Sequence, residues 1–579
     1  MGQTVYFVST TGDDNNNGLS EAAAWRTISY AASAASPVAP GDTVYIKAGD
    51  YGHEDVFIDK NYTPGAARIS FIGYKNKPGD ISTLGFVYGD EVDPTRMPLI
   101  NPGDCNTGEG INLSDNYAIT IKNIQIANSL AGINIWNSTG INSDHVLENI
   151  FLHNIGWEYS TAIAMREADG NQIKNCLIVN ATGAGMDIWG DNNRIENCRI
   201  YSNESQMISD GTFTSMDYYI VIKGDSNVVS NCLAERDGDL EDVGHGLEIK
   251  ENGQYNLFVD CTVKNMIGGC YSVRWSGVQH NEFRHCRAIG GVSQDVSAFL
   301  VREGASYNVF NACVSDGCQA GIRFLLAGED ADYCGHHNAF NNCIIKDARW
   351  AIDLNPYFYN SAPANDNLVV NCLIDKADYL FFCDRPNAGN QLINCIITRV
   401  DSLDTGDQPV NFTYIYSDFF DNGFVIPAGP GNISAAPLFV DAPSGNYHLQ
   451  AASPCIDAGT SQNVPPVDFD GQARPAGGGW DIGPYEYSGP LGTGEASASR
   501  GAGMRIFPNP ASGKVTIESG VCRLSEIRVC NVLGRDFTAQ IRARSLCPAA
   551  VELGLSALPP GIYFVKAGGF AAPVVKREK

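Results

Sequence analysis

An asparagine followed five residues later by a cysteine recurs nine times through the middle of this 579-residue chain. The pairs are Asn171/Cys176, Asn193/Cys198, Asn227/Cys232, Asn256/Cys261, Asn281/Cys286, Asn308/Cys313, Asn338/Cys343, Asn367/Cys372 and Asn390/Cys395. Their spacing averages about 27 residues, which suits one coil of three short strands joined by turns of variable length. Inside each repeat the residues alternate, as in Asn171-Gln172-Ile173-Lys174-Asn175-Cys176, so that the apolar third residue faces a core the cysteine also enters. Side-chain amides stacked at a turn can hydrogen-bond from one coil to the next, and buried free thiols behave as small hydrophobes. The nine cysteines are therefore read as packing, with no chemistry assigned to them.

The pattern implies an all-β chain forming a right-handed parallel β-helix. Composition agrees: 44% of residues are hydrophobic, 18% are charged and 61 are glycine, as expected for short strands and tight turns. Less regular coils precede the ladder at Ile119–Ile124 and Val146–Ile150, with isoleucine in the cysteine position. Residues Glu21 to Ala35 read as an amphipathic helix with Ser20 as N-cap, covering the apolar end of the first coil.

A net charge of −26 opposes binding of nucleic acid, so an anionic ligand needs a local basic patch. No run of about 18 apolar residues occurs, so no membrane span is expected. Gln3-Thr4 leading straight into Val5–Ser9 reads as a mature start, with Met1-Gly2 replacing a removed signal peptide.

The first fifty residues, with Tyr6-Phe7-Val8-Ser9, Gly12-Asp13, Trp25-Arg26-Thr27-Ile28 and Pro40–Ile46, resemble the start of β-helix proteins related to polysaccharide lyases. Within 430–487, Pro437–Asp441 through Asp457-Ala458-Gly459 to Trp480–Glu486 looks like a segment that closes such helices, which places the β-helix at 1–487. Residues 488–503 are small, polar and aperiodic, as in a linker. From 504 to 579, Met504-Arg505-Ile506-Phe507-Pro508-Asn509-Pro510, Val532-Leu533-Gly534 and Leu558–Lys566 resemble the type IX secretion sorting domain. That resemblance implies a small β-sandwich recognised by outer-membrane secretion machinery, and a secreted or cell-surface protein.

Five consecutive strands end in or near a cation: Lys223, Lys250, Arg274, Arg302 and Arg323. At about 4.8 Å per coil they would span roughly 19 Å, comparable to several sugars of an anionic polysaccharide. The competing reading pairs them with Asp225, Glu235, Glu248 and Glu303 as solvated ion pairs of little worth.

Gly246–Lys250 and Gly268–Arg274 resemble the catalytic coil pair of the alginate lyase and chondroitinase B family. The resemblance implies β-elimination, with Lys250 as Brønsted base and Arg274 stabilising charge or protonating the leaving oxygen. Lys223, His245, Tyr271, Arg302 and Arg323 would then bind substrate. Removing the C5 proton of a uronate builds charge on a carboxylate, which cations or a metal must hold. A lysine serves as base only when neutral, a state that nearby positive charge favours.

That family holds calcium through acids just upstream of the lysine, where this chain has Val243 and His245. The loop residues Asp237, Asp239, Glu241 and Asp242 are the expected alternative Ca2+ ligands. Lys250-Glu251-Asn252-Gly253-Gln254-Tyr255-Asn256 also resembles the lysine turn of family nine pectate lyases, whose acidic cluster on the next coil is replaced here by Met266–Tyr271. Alginate, pectate and glycosaminoglycans all remain open as substrates. Two other classes also stand. A glycoside hydrolase would need two carboxylates roughly 5 to 9.5 Å apart, from Asp187, Asp217, Asp242 or Asp295. A noncatalytic carbohydrate-binding adhesin would need neither.

Overall fold

A computed structural model describes residues 3–81, 86–105, 107–138, 143–156, 160–207, 213–237, 240, 244–290, 296–326, 333–354 and 362–489, and toward the C-terminus 505–507, 514–518, 527–531, 538–547, 550–558, 561–567 and 570–576. The chain winds as a right-handed parallel β-helix with almost no α-helix. By internal contacts it divides into two compact units. One comprises 1–250 with 258–272 and 291–296; the other comprises 251–257, 273–290 and 297–579.

The coil follows from its turns. The residue before each ladder asparagine has positive φ: Gly170, Asn192, Ser226, Tyr255, His280, Tyr307, His337, Asp366 and Gly389. So does the residue before each ladder cysteine: Asn175, Asn197, Asn231, Asp260, His285, Ala312, Asn342, Asn371 and Asn394. Two left-handed residues thus bracket every such strand and turn the chain sharply at both ends. Asparagine, aspartate and glycine tolerate that conformation best, which accounts for their abundance here.

In the first unit the strands Gln172–Lys174, Arg194–Glu196 and Val228–Ser230 pair in parallel, stacking Ile173, Ile195 and Val229 inside. The Asn171 backbone N–H donates to Asn193 Oδ1 (2.8 Å), and Asn193 N–H to Asn227 Oδ1 (2.8 Å). In the second unit the same column runs unbroken from Asn256 through Asn281, Asn308, Asn338 and Asn367 to Asn390. At each step both the backbone N–H and the Nδ2 donate to the next Oδ1. Beneath it Phe283, Phe310 and Phe340 stack at 4.7 and 4.9 Å between ring centres. The buried asparagines of this second column are thereby satisfied, as burial of polar groups requires, whereas Asn193 Nδ2 in the first unit makes no hydrogen bond among the described residues. The ladder thiols lie buried and unpaired by disulfides.

The helix expected over 21–35 breaks in two. Glu21–Ala23 is a single 3-10 turn capped by Ser20, and Ile28–Ala32 is a five-residue α-helix capped by Thr27. Trp25 interrupts them in extended form, its N–H donating to Phe7 O and its carbonyl accepting from Ser9 N–H. Pairing with the first strand and stacking on Tyr6 at 4.8 Å outweigh helix propensity there.

The segment 437–487 runs along the side of its unit. Tyr447, Leu449, Cys455, Ile482 and Tyr485 pack on Val314, Ile344, Leu373 and Ile396, the residues that directly follow four ladder cysteines. Asn371 Nδ2 donates to the carbonyls of Asp481 and Gly483. Arg474 and Glu486 form a buried ion pair at 2.6 Å. Toward the C-terminus the described strands form two antiparallel sheets of four and three strands. Val515, Ile527, Val529, Leu553, Leu555, Leu558, Tyr563 and Val565 make one cluster there.

Candidate functional site

On one strand face of the first unit, Ala184–Ile188, Tyr218–Ile222 and His245–Ile249 pair in parallel, with Met186, Ile220 and Leu247 in one inward row and Ile188, Ile222 and Ile249 in the next. Alternation puts Asp187 and Glu248 on the outer face. It also puts Trp189, Lys223 and Lys250 there, each one residue beyond its strand. Their order is fixed by the backbone: Lys223 N–H donates to Ile188 O (2.7 Å) and Lys250 N–H to Ile222 O (2.9 Å).

Lys223 Nζ lies 3.0 Å from Asp187 Oδ1 and 4.2 Å from the centre of the Trp189 ring. Lys250 is buried at 7% exposure. Its Nζ sits 3.6 Å from the centre of the Tyr218 ring and 3.7 Å from Glu248 Oε1. Glu248 is completely buried, and neither of its oxygens makes a hydrogen bond among the described residues. His245 Nδ1 is 3.5 Å from Glu248 Oε2 and 3.4 Å from Gly269 N, while its ring stacks on Tyr218 at 5.3 Å. A bare Nδ1 accepts from Gly269, whereas a protonated one donates to Glu248, so the ring can serve only one of them at a time. A buried carboxylate without hydrogen bonds costs stability, offset here by the Lys250 ammonium at 3.7 Å.

Tyr271 stands apart from these groups. Its ring is wholly buried and its hydroxyl donates to Cys261 O (2.8 Å). It supports the inside of the coil and not the outer face expected for substrate binding.

In the second unit the cations are held differently. Arg274 Nε donates to Glu303 Oε2 at 2.5 Å, and Arg302 reaches Glu303 Oε1 at 3.3 Å. Arg323 Nε donates to Asp353 Oδ2 at 2.5 Å, the two residues standing opposite each other on paired strands. Glu303 and Asp353 are buried, so these pairs are not the solvated ones expected. Of the four expected partners, Glu248 and Glu303 do pair with stripe cations. Glu235 pairs with Lys264 (3.2 Å) instead, and Asp187 and Asp353 supply the remaining contacts.

Asp237 is exposed and accepts from the Tyr88 hydroxyl at 3.3 Å. Asp239, Glu241 and Asp242, expected as its partners in binding calcium, lie outside the described residues, as does Asp295. Among the described residues no three His, Cys, Asp or Glu side chains come together to hold a metal, so no chemical step is routed through one here. Asp217, a hydrolase candidate, meets the site through its backbone, its carbonyl accepting from His245 N–H at 2.6 Å.

Sequence reasoning missed Trp189, Tyr218 and Asp353. Trp189 was findable, because it follows Ile188 as Lys223 follows Ile222.

Residues 109–292 match the model of the right handed beta helix region, and residues 505–577 match that of a secretion system C-terminal sorting domain. No curated protein matches the chain. Among solved structures the chain is similar to pectate lyase Pel9A, at 14% identity, with 84% of this chain and 96% of that one covered and a TM-score of 0.37. It is also similar to a family 6 polysaccharide lyase from Pseudopedobacter saltans, at 12% identity, with 72% and 94% covered and a TM-score of 0.39. A third is the catalytic domain of a family 87 α-1,3-glucanase, at 13% identity, with 64% and 63% covered and a TM-score of 0.37. No helix among the described residues is long and apolar enough to cross a membrane. The chain thus carries a right-handed β-helix region and, at its end, a secretion system C-terminal sorting domain that marks it for export.

Proposed function

We propose that this protein is an exported polysaccharide lyase that cleaves a uronate-containing anionic polymer by β-elimination. The observation that carries the reading is the Lys250 cluster. A lysine shielded from water lies against an aromatic ring and 3.7 Å from a buried carboxylate, on the same outer face as a second lysine. In the proposed reaction the Lys250 amine takes the C5 proton. The C5–H electron pair becomes the C4–C5 double bond, the C4–O bond breaks, and the departing oxygen collects a proton. Lys223 would pair with a uronate carboxylate, and His245 would hydrogen-bond a sugar oxygen. Arg274, through the resemblance of its coil, is assigned the stabilisation of charge on the reacting carboxylate, and Arg302 and Arg323 the binding of further acidic groups. Such preorganised charge is worth most where water is excluded.

The test is to incubate the full chain with alginate, pectate, hyaluronan and chondroitin and follow the ultraviolet absorbance of an unsaturated uronate end. A rise with one of these supports the lyase. A flat trace accompanied by new reducing ends replaces it with hydrolysis, and a flat trace without them leaves carbohydrate binding alone. Parallel runs with calcium and with a chelator test whether a metal is needed, and the same runs on an Asp237→Asn, Asp239→Asn, Glu241→Gln, Asp242→Asn chain test the loop 237–242 as its site.

A further inference from the structure

Beyond the lysines, the same outer row of the first unit continues in the opposite direction. The strands Ile133–Trp136 and Thr161–Arg166 pair with Arg166 beside Trp136. Trp189 N–H donates to Met165 O at 2.8 Å, which sets Trp189 beside Arg166 on the next coil. Coil by coil the row therefore reads Trp136, Arg166, Trp189, Lys223, Lys250. Both tryptophans are unusually open, Trp136 at 49% and Trp189 at 42% exposure. Neither is needed by the core, which Ile135, Met165 and Ile188 already fill from the inner face. Cations from both neighbouring coils approach the Trp189 ring, Arg166 Cζ at 5.8 Å and Lys223 Nζ at 4.2 Å.

We infer that Trp136, Arg166 and Trp189 form a binding track for an acidic sugar chain running across the coils, with each indole stacking on the apolar face of a ring and Arg166 pairing with a carboxylate between them. Open tryptophans at a polar surface serve ligands whose one face is apolar and whose edges are polar. The two indoles are two coils apart, about 9.6 Å, close to the length of a disaccharide unit. The exposed Arg166 between the two indoles matches an acidic polysaccharide better than a neutral one, while Lys223 is already held by Asp187. The inference rests on the uronate polymer proposed above as ligand, though not on its cleavage.

The experiment titrates uronate oligomers of graded length, and a neutral oligosaccharide of matched length, into the full-length Lys250→Ala chain by calorimetry. It repeats the titration with Trp136→Ala, Trp189→Ala or Arg166→Gln added. Each tryptophan loss is expected to weaken long oligomers about tenfold, with Trp136→Ala sparing oligomers too short to reach it. Arg166→Gln is expected to weaken the acidic oligomers and leave the neutral one unchanged. Equal affinity of parent and variants at every length overturns the track. If the parent with Lys250 intact cleaves no uronate polymer while the tryptophan dependence holds, the lyase reading falls and the track stands. If cleavage occurs but the variants leave KM and product lengths unchanged, the track falls and the lyase stands.

Discussion

The two units carry outer-face cations at equivalent places in their coils, some over aromatic rings in each, yet hold them at different distances from their acids. In the first unit, Lys223 and Lys250 sit over aromatic rings, at 3.0 and 3.7 Å from their carboxylates. In the second, Arg274 and Arg323 are locked at 2.5 Å onto buried acids. Lysine can give up its proton and is mobile on a flexible stem, while arginine is a permanent planar charge suited to fixed pairing. The contrast separates a stretch fit to exchange protons from one fit to hold a fixed field.

The largest expected effect breaks the first half of that contrast. Lys250→Ala should lower the elimination rate by about 10²- to 10⁴-fold, as loss of a general base does, and should also lower the melting temperature because the buried Glu248 loses its nearest cation. Lys250→Arg should be as slow, because it restores charge without a removable proton. A variant that keeps its rate would end the assignment of Lys250 as base.

Glu303→Ala tests the second half. It leaves Arg274 and Arg302 without their shared carboxylate and should cost about 3 to 5 kcal/mol in denaturant unfolding. Asp187→Ala should cost only about 1 kcal/mol, since Lys223 can swing its ammonium into water. Equal costs for the two would erase the distinction between the units.

The smallest expected effect concerns the segment 437–487. Burial pushes the Asp418 and Asp481 carboxyls up to about 6. Between about pH 4 and 6 the folded state then keeps protons that the unfolded chain releases, so their contribution to stability falls as pH rises through that window. The Asp470 carboxylate raises His448, whose stabilisation is likewise present at low pH and lost as pH rises through its folded value. Hydrogen exchange of this segment, corrected for intrinsic rate, should therefore slow on acidification from about pH 7 to about pH 5. Faster exchange would contradict the burial of these acids.

The coil was legible in the sequence because its determinants are local: a left-handed residue, an asparagine, three strand residues, a second left-handed residue and a cysteine. The cations were legible for the same reason, each standing at the end of an alternating run. Their carboxylate partners were not. Lys223 meets Asp187 from 36 residues earlier, and Arg323 meets Asp353 from 30 residues later. Such pairs depend on the length of intervening arcs that obey no repeat, whereas nearness in sequence pointed to Asp225 and Glu235. The helix over 21–35 failed because Trp25 belongs to a strand edge that its neighbours' helix propensity does not reveal. Tyr271 failed on direction: Val273 faces inward, and a residue two positions earlier shares its side.

Successive ladder asparagines are separated by as few as 22 and as many as 34 residues, while the step from asparagine to cysteine never changes. All variation in coil length is thus confined to the remaining arc, which includes the strands bearing the lysines, arginines and tryptophans. One side of each coil acts as a ruler and the other as free material. A loop beside the cation-bearing face can lengthen, shorten or be exchanged without breaking a single rung of the amide column. The outer face can therefore be altered one coil at a time, with the cost of each trial confined to that coil.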